Sequence, residues 1–249
     1  MPLNNHKKSS PKPPSKSSQK SGLAAKLADE SGNVFMFILI GIVLFAAISF
    51  VMSRSFRSEG TSNLSARQAD LAAIDIVTYA QRIERAVSAI RRKDISEGDI
   101  SLEHNGGFIN ANCNDAADRR FPDCQVFHPQ GGNISPQTPP LNSNDGTNWH
   151  FTGATCIEGD AVTGCDSDGQ RNEDLIAVLR NINQSVCTAI NRRLGIDGIP
   201  VDAGDGFSAT PFTGTFPEDT EIALAGGPFT AACYQNGGAF HFYSILIKR

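Results

Sequence analysis

No HExxH, GxSxG, GxGxxG or P-loop pattern occurs in the 249 residues. The chain therefore lacks the short motifs that position a zinc-hydrolase base, a strained serine nucleophile or a phosphate cradle. No cysteine precedes Cys113, and none of the six forms a CxxC pair. Structural zinc sites draw on close cysteine pairs, so zinc is disfavoured. Positive charge is not in excess either. The net charge is −4 and the pI about 5.7, which argues against nucleic acid as a partner of the main domain. Charge of either sign is absent from Val34 to Met52.

That uncharged run, Val34-Phe-Met-Phe-Ile-Leu-Ile-Gly-Ile-Val-Leu-Phe-Ala-Ala-Ile-Ser-Phe-Val-Met52, has no polar face. As a helix it reaches about 28 Å, close to the hydrocarbon thickness of a bilayer. It exceeds the h-region of a secretory signal. A transmembrane helix is predicted over 34–52. The preceding residues carry Lys7, Lys8, Lys12, Lys16, Lys20 and Lys26 against Asp29 and Glu30, so the tail is +4 and the remainder −8. Residues 1–33, rich in Pro, Ser and Lys, read as a disordered basic leader. The lysine bias puts the N-terminus in the cytoplasm and the rest outside. Lipid headgroups are an expected partner of the leader.

The even set Cys113, Cys124, Cys156, Cys165, Cys187 and Cys233 lies wholly beyond the apolar run, as expected of disulfides in an oxidising compartment. Six cysteines allow fifteen pairings. Short loops close cheaply, which favours Cys113–Cys124 and Cys156–Cys165. Cys187–Cys233 would then tie a short helix to the last strand.

Residues 53–92 are read as a helical stalk. Ser65-Ala-Arg-Gln68 has the form of a capping box, and Gly60 favours a kink or break ahead of it. Ala69, Ala73, Ile76, Ala80, Ile83, Val87 and Ile90 form one apolar stripe running to about Arg92. From 93 to 249 a globular domain with short strands and long loops is expected. Gly107–Ala111, Gln125–His128, Leu175–Leu179 and Ala239–Ile247 read as strands. Asn183 to Leu194 reads as a helix ended by Gly195. Gly131–Gly146 reads as a loop with three prolines.

Candidate chemistry is sparse. His150 beside Trp149 suits a small-molecule site less well than a packed pair. His241 alternates with Phe240 and Phe242, which assigns it to the polar face of a strand. Asp166, Asp168, Glu173 and Asp174 form a weak calcium candidate, but their spacing does not fit an EF-hand, and a solvated acidic loop is the preferred reading. No catalytic residue and no cofactor is expected.

The lysine leader, Ser31-Gly32-Asn33, the apolar run, the Ala69–Ile90 stripe and the cysteine-bearing C-terminal region together resemble a prepilin. Type IV pilins and type II secretion pseudopilins share this layout. The stretches Cys124–Gly132 and Trp149–Gly153 are also similar to uncharacterised pilin-like membrane proteins. The resemblance implies an α+β fold, with the N-terminal transmembrane helix continuing into an amphipathic helix packed on a small antiparallel sheet. It also implies leader cleavage between Gly32 and Asn33. Major pilins carry glutamate at the fifth mature position, where this chain has Phe37; Glu30 lies on the wrong side of Gly32 to substitute. The resemblance therefore narrows to tip-type minor pseudopilins. It implies a non-enzymatic structural protein of the bacterial inner membrane, with a periplasmic domain and other pilin-like subunits or envelope proteins as partners. A single-pass anchored periplasmic binding or sensor domain is the alternative. An anchored hydrolase ranks third.

Overall fold

The computed structural model describes residues 31–113, 120–158, 165 and 173–249, without side chains at 31–33 and 49–64. Residues 1–30 of the leader lie outside the described residues, and its last three, 31–33, are helical rather than disordered. The chain divides into two compact units, Met1–Glu59 and Gly60–Arg249. One α-helix, α1 (Ser31–Arg91), contributes to both. Gly60 does not interrupt it, and Ser65 lies within it rather than capping its start. Helix propagation adds a backbone hydrogen bond per residue, so a lone glycine at a cost of about 1 kcal/mol does not stop it.

In the first unit, every described side chain from Val34 to Ile48 is exposed. The large apolar ones are 46% to 75% exposed.

The second unit is α+β. Its strands are β1 (His150–Ile157), β2 (Asp174–Leu179), β3 (Thr220–Ile222), β4 (Ala231–Asn236) and β5 (Ala239–Ile247); helix α2 (Gln184–Leu194) follows β2. The sheet order is β3-β1-β2-β5-β4. β1–β2, β2–β5 and β5–β4 are antiparallel, but β1–β3 is parallel. The sheet is thus mixed, not purely antiparallel. The long excursion from β1 through β2 and α2 returns the chain to β1's free edge in β1's own direction. The expected strands Gly107–Ala111 and Gln125–His128 do not form. Those residues contribute single bridges, Ser101 to Gln125 and His104 to Gly107, and a 3-10 turn at Ala111–Cys113. Apolar runs this short find no neighbour to extend a ladder.

Period-two alternation in β2 builds two cores. Leu175, Ala177 and Leu179 face the larger one, Ile176 and Val178 the smaller. The helical stripe of α1 covers the larger core: Ala73, Ile76, Ile83, Val87 and Ile90 are fully buried or nearly so. Each buried isoleucine contributes up to about 1.5–3 kcal/mol, and the interspersed alanines let the helix approach the sheet. β4 and β5 are joined through Gly237 and Gly238, at φ 56° and 87°, the paired positive angles that a two-residue type I′ hairpin turn requires.

Both sheet edges are covered by one segment. On β4, Gln235 N donates to Pro200 O (2.9 Å) and Asp202 N to Gln235 O (2.9 Å). On the β3 side, Ala203 N donates to Ala223 O and Asp205 N to Glu221 O. Residues 200–206 therefore join the two edges, and the sheet curls over its smaller core. Asp202 anchors the join: its carboxylate accepts from Gly204 N, Ala223 N and Asn236 Nδ2 at 2.8–3.0 Å.

Candidate functional site

Three disulfides join Cys113–Cys124, Cys156–Cys165 and Cys187–Cys233. These are the pairs named from the sequence, with one correction. Cys233 lies in β4, so the long bridge ties α2 to the edge strand and not to the last strand. α2 begins after Asn183, which makes no capping bond. Its side-chain amide donates instead to Asn142 O (2.7 Å). Gly195, at φ 77°, ends the helix in the left-handed conformation.

Gly32 and Asn33 fall in the first turn of α1, and their side chains lie outside the described residues. Among the described residues no helix is long and apolar enough to cross a membrane. The described apolar side chains end at Ile48, and those of 49–52 lie outside the description.

Of the four calcium candidates, Glu173 and Asp174 are among the described residues. Asp166 and Asp168 lie outside the described residues. Asp174 is the first residue of β2 and fully buried. Its carboxylate accepts from Lys248 Nζ (2.8 Å), Arg249 N (2.9 Å) and Ile157 N (3.1 Å). Burial pushes its pKa up, and Lys248 with the two backbone donors opposes the rise. It fastens the end of β5 to β1. Glu173 is 4% exposed, and its Oε2 has no hydrogen-bond partner. Among the described residues no three metal-ligating side chains converge.

His150 is packed, as expected, but His241 is not on a polar face. His241 does not face water; it packs in the smaller core between Phe207 (5.2 Å) and Tyr234 (5.8 Å). His150 is buried in β1, and its Nε2 meets Ser208 O at 3.1 Å. Because that oxygen only accepts, Nε2 carries the proton. Burial lowers the pKa of both rings, and Arg180 adds to the effect.

Ser208 and Asp219 stand beside His150, so the residue types of a hydrolytic triad meet here. Their arrangement is not a relay. The Ser208 hydroxyl donates directly to Asp219, and His150 faces the serine carbonyl instead. Ser208 is 1% exposed, and its N–H donates to Thr155 Oγ1 (2.8 Å). The group pins the loop after the curl to β1.

The sequence reading missed Asn191, Asp202 and the acidic run Glu218–Glu221. The run was visible as a charge cluster. The roles of Asn191 and Asp202 depend on partners 42 and 34 residues away and leave no local pattern. No family model, curated protein or solved structure matches this chain.

Proposed function

We propose that this chain is a non-enzymatic structural protein of the bacterial cell envelope, similar to minor pilins or pseudopilins, that assembles through its N-terminal helix. The observation that carries the reading is the contrast within α1. From Val34 to Ile48 every side chain is exposed and apolar, while from Ala69 to Ile90 the helix closes a folded core. Exposed apolar surface is worth roughly 25 cal/mol per Å² when covered, and lipid followed by neighbouring helices would cover it. The three disulfides favour an oxidising compartment, in keeping with a periplasmic domain and a cytoplasmic leader. Phe37 leaves the subunit without the carboxylate that pairs with a neighbour's amino terminus, which suits a filament tip or initiation complex.

N-terminal sequencing of the protein extracted from its native membrane tests the reading. Assembly expects mature protein starting at Asn33. Retention of residues 1–32 would replace it with the second reading, a permanently anchored periplasmic binding or sensor domain.

A further inference from the structure

We infer that residues 200–208 are an acid-released strap: protonating His150 and His241 together frees the segment and uncovers the edges of β3 and β4. The two histidines share the sheet face that carries the smaller core. His150 on β1 stands opposite Val178, and Val178 opposite Tyr243, two residues beyond His241 on β5. Phe207 lies against both imidazoles, its ring centroid 6.1 Å from that of His150 and 5.2 Å from that of His241. The neighbouring Ser208 carbonyl accepts from His150 Nε2 (3.1 Å).

The strap is tied down by separate backbone bonds. Gln235 N donates to Pro200 O, Asp202 N to Gln235 O, Ala203 N to Ala223 O, and Asp205 N and Gly206 N to Glu221 O. Ser208 N donates to Thr155 Oγ1 (2.8 Å). The segment forms no helix or strand and holds no cysteine. Strand β2, in contrast, is paired on both sides and buried throughout. A segment so held opens at lower cost than the centre of the sheet.

Charge makes that opening respond to acid. Arg180 follows β2, the strand between the two histidines, and its Nε is buried without a hydrogen-bond partner. The acidic groups nearby are already engaged. Asp202 accepts from Gly204 N, Ala223 N and Asn236 Nδ2. Asp145, before β1, accepts from Thr147 N and Asn181 Nδ2. Asp219 is held by the Ser208 hydroxyl. Tyr234 on β4 stands 5.8 Å from His241, and His104 lies behind Phe108, which packs on His150. One imidazolium beside Phe207 would gain a cation–π contact. Two of them with Arg180 set like charges together on a largely dry face. Burial, with Arg180 adding to it, lowers the pKa of both rings while the strap is closed. Protons therefore bind more readily once the strap lifts and water reaches the rings. The inference concerns the globular unit alone and holds whether or not the chain assembles through α1.

Amide hydrogen exchange on the full-length oxidised chain in detergent micelles, at pH 7 and pH 5 and corrected for intrinsic rates, tests it. A ring with the ordinary pKa of about 6.5 in the open strap contributes at most about 25-fold over this range. Protection of the Asp202, Ala203, Asp205 and Gln235 amides should fall about 10-fold or more, while the Ala177 and Val178 amides of β2 stay within about 2-fold. His150→Gln combined with His241→Gln should hold strap protection constant within about 2-fold. Either substitution alone should shallow the pH dependence, an arm that stands if the double variant does not fold. In the unsubstituted chain the imidazole Cε1–H shifts should move over the same pH range as strap exchange. A strap still protected at pH 5, equal loss of protection in the strap and β2, or a folded double variant that still opens in acid would each overturn the inference.

Discussion

Asn191 does for one sheet edge what a neighbouring strand would do. Its Oδ1 accepts from Cys233 N (2.8 Å), and its Nδ2 donates to Cys233 O (2.7 Å) and Gly198 O (2.8 Å). The two bonds to Cys233 are buried, and the one to Gly198 is part-buried. Asn191→Ala should strand two backbone groups of β4 and cost about 2–4 kcal/mol. Asn191→Asp keeps an acceptor for Cys233 N but loses the donor, and should also destabilise. Urea unfolding under oxidising conditions measures both, and an alanine cost under about 0.5 kcal/mol would remove the edge-closing role.

The buried histidines set a pH dependence at the same scale. Burial first, and Arg180 second, depress the pKa of His150; burial first also depresses that of His241, where Asp145 and Asp202 partly oppose. The unfolded rings titrate near 6.5. Below that, the unfolded chain binds protons the folded chain refuses, so stability is full above about pH 6.5 and falls as pH drops toward the folded values. Unfolding free energy measured from pH 7 to pH 5 should fall, and His241→Gln should shallow the slope. An unchanged slope in that variant would show that carboxylates dominate.

At the scale of elements, α2 is held by a covalent bond as well as by packing. Val186, Ile190 and the Cys187–Cys233 bridge fix it to β4, and Arg192 pairs with Asp70 on α1. The bridge closes a sequence separation of 46 residues against 9 for Cys156–Cys165. In the chain-entropy model that corresponds to about 4 and about 2.6 kcal/mol. The Cys187→Ser, Cys233→Ser pair should therefore destabilise more than Cys156→Ser, Cys165→Ser. The reverse order in denaturant midpoints would mean that native packing, and not loop length, decides. The proline-bearing segment 134–140 is fastened more lightly: Gln137 N donates to Tyr79 Oη (2.9 Å), which in turn donates to Ser135 O (3.4 Å). Trp149 packs 5.4 Å from the Tyr79 ring.

At the scale of the whole molecule, the proposed topology makes one further prediction. Protease added to intact spheroplasts should digest the region after Ser53 and spare the lysine leader, because the charge bias places the leader in the cytoplasm. Protection of the cysteine-bearing unit would reverse the orientation. Gly32→Arg should leave full-length protein and abolish co-purification with pilin-like partners if leader cleavage precedes assembly.

Residue order by itself carried the elements whose signal is local. The 3.6-residue stripe from Ala69 to Ile90 marks a face of α1, the run Leu175–Leu179 is β2, the Asn183–Gly195 boundaries are those of α2, and Ala239–Ile247 is β5. Short loop closure also favoured two of the three disulfides. Tertiary structure decided the rest. A helix start at Ser65 was overridden because propagation costs less than breaking at one glycine. β3 pairs parallel to β1 because a connection of more than 60 residues brings it to that edge, and no local pattern encodes such a return. His241 became buried because the curl gives the sheet's second face a core of its own. Asp205 lies beside Glu221 because that curl draws it there, through its N–H bond to Glu221 O, and the two are neighbours only after folding.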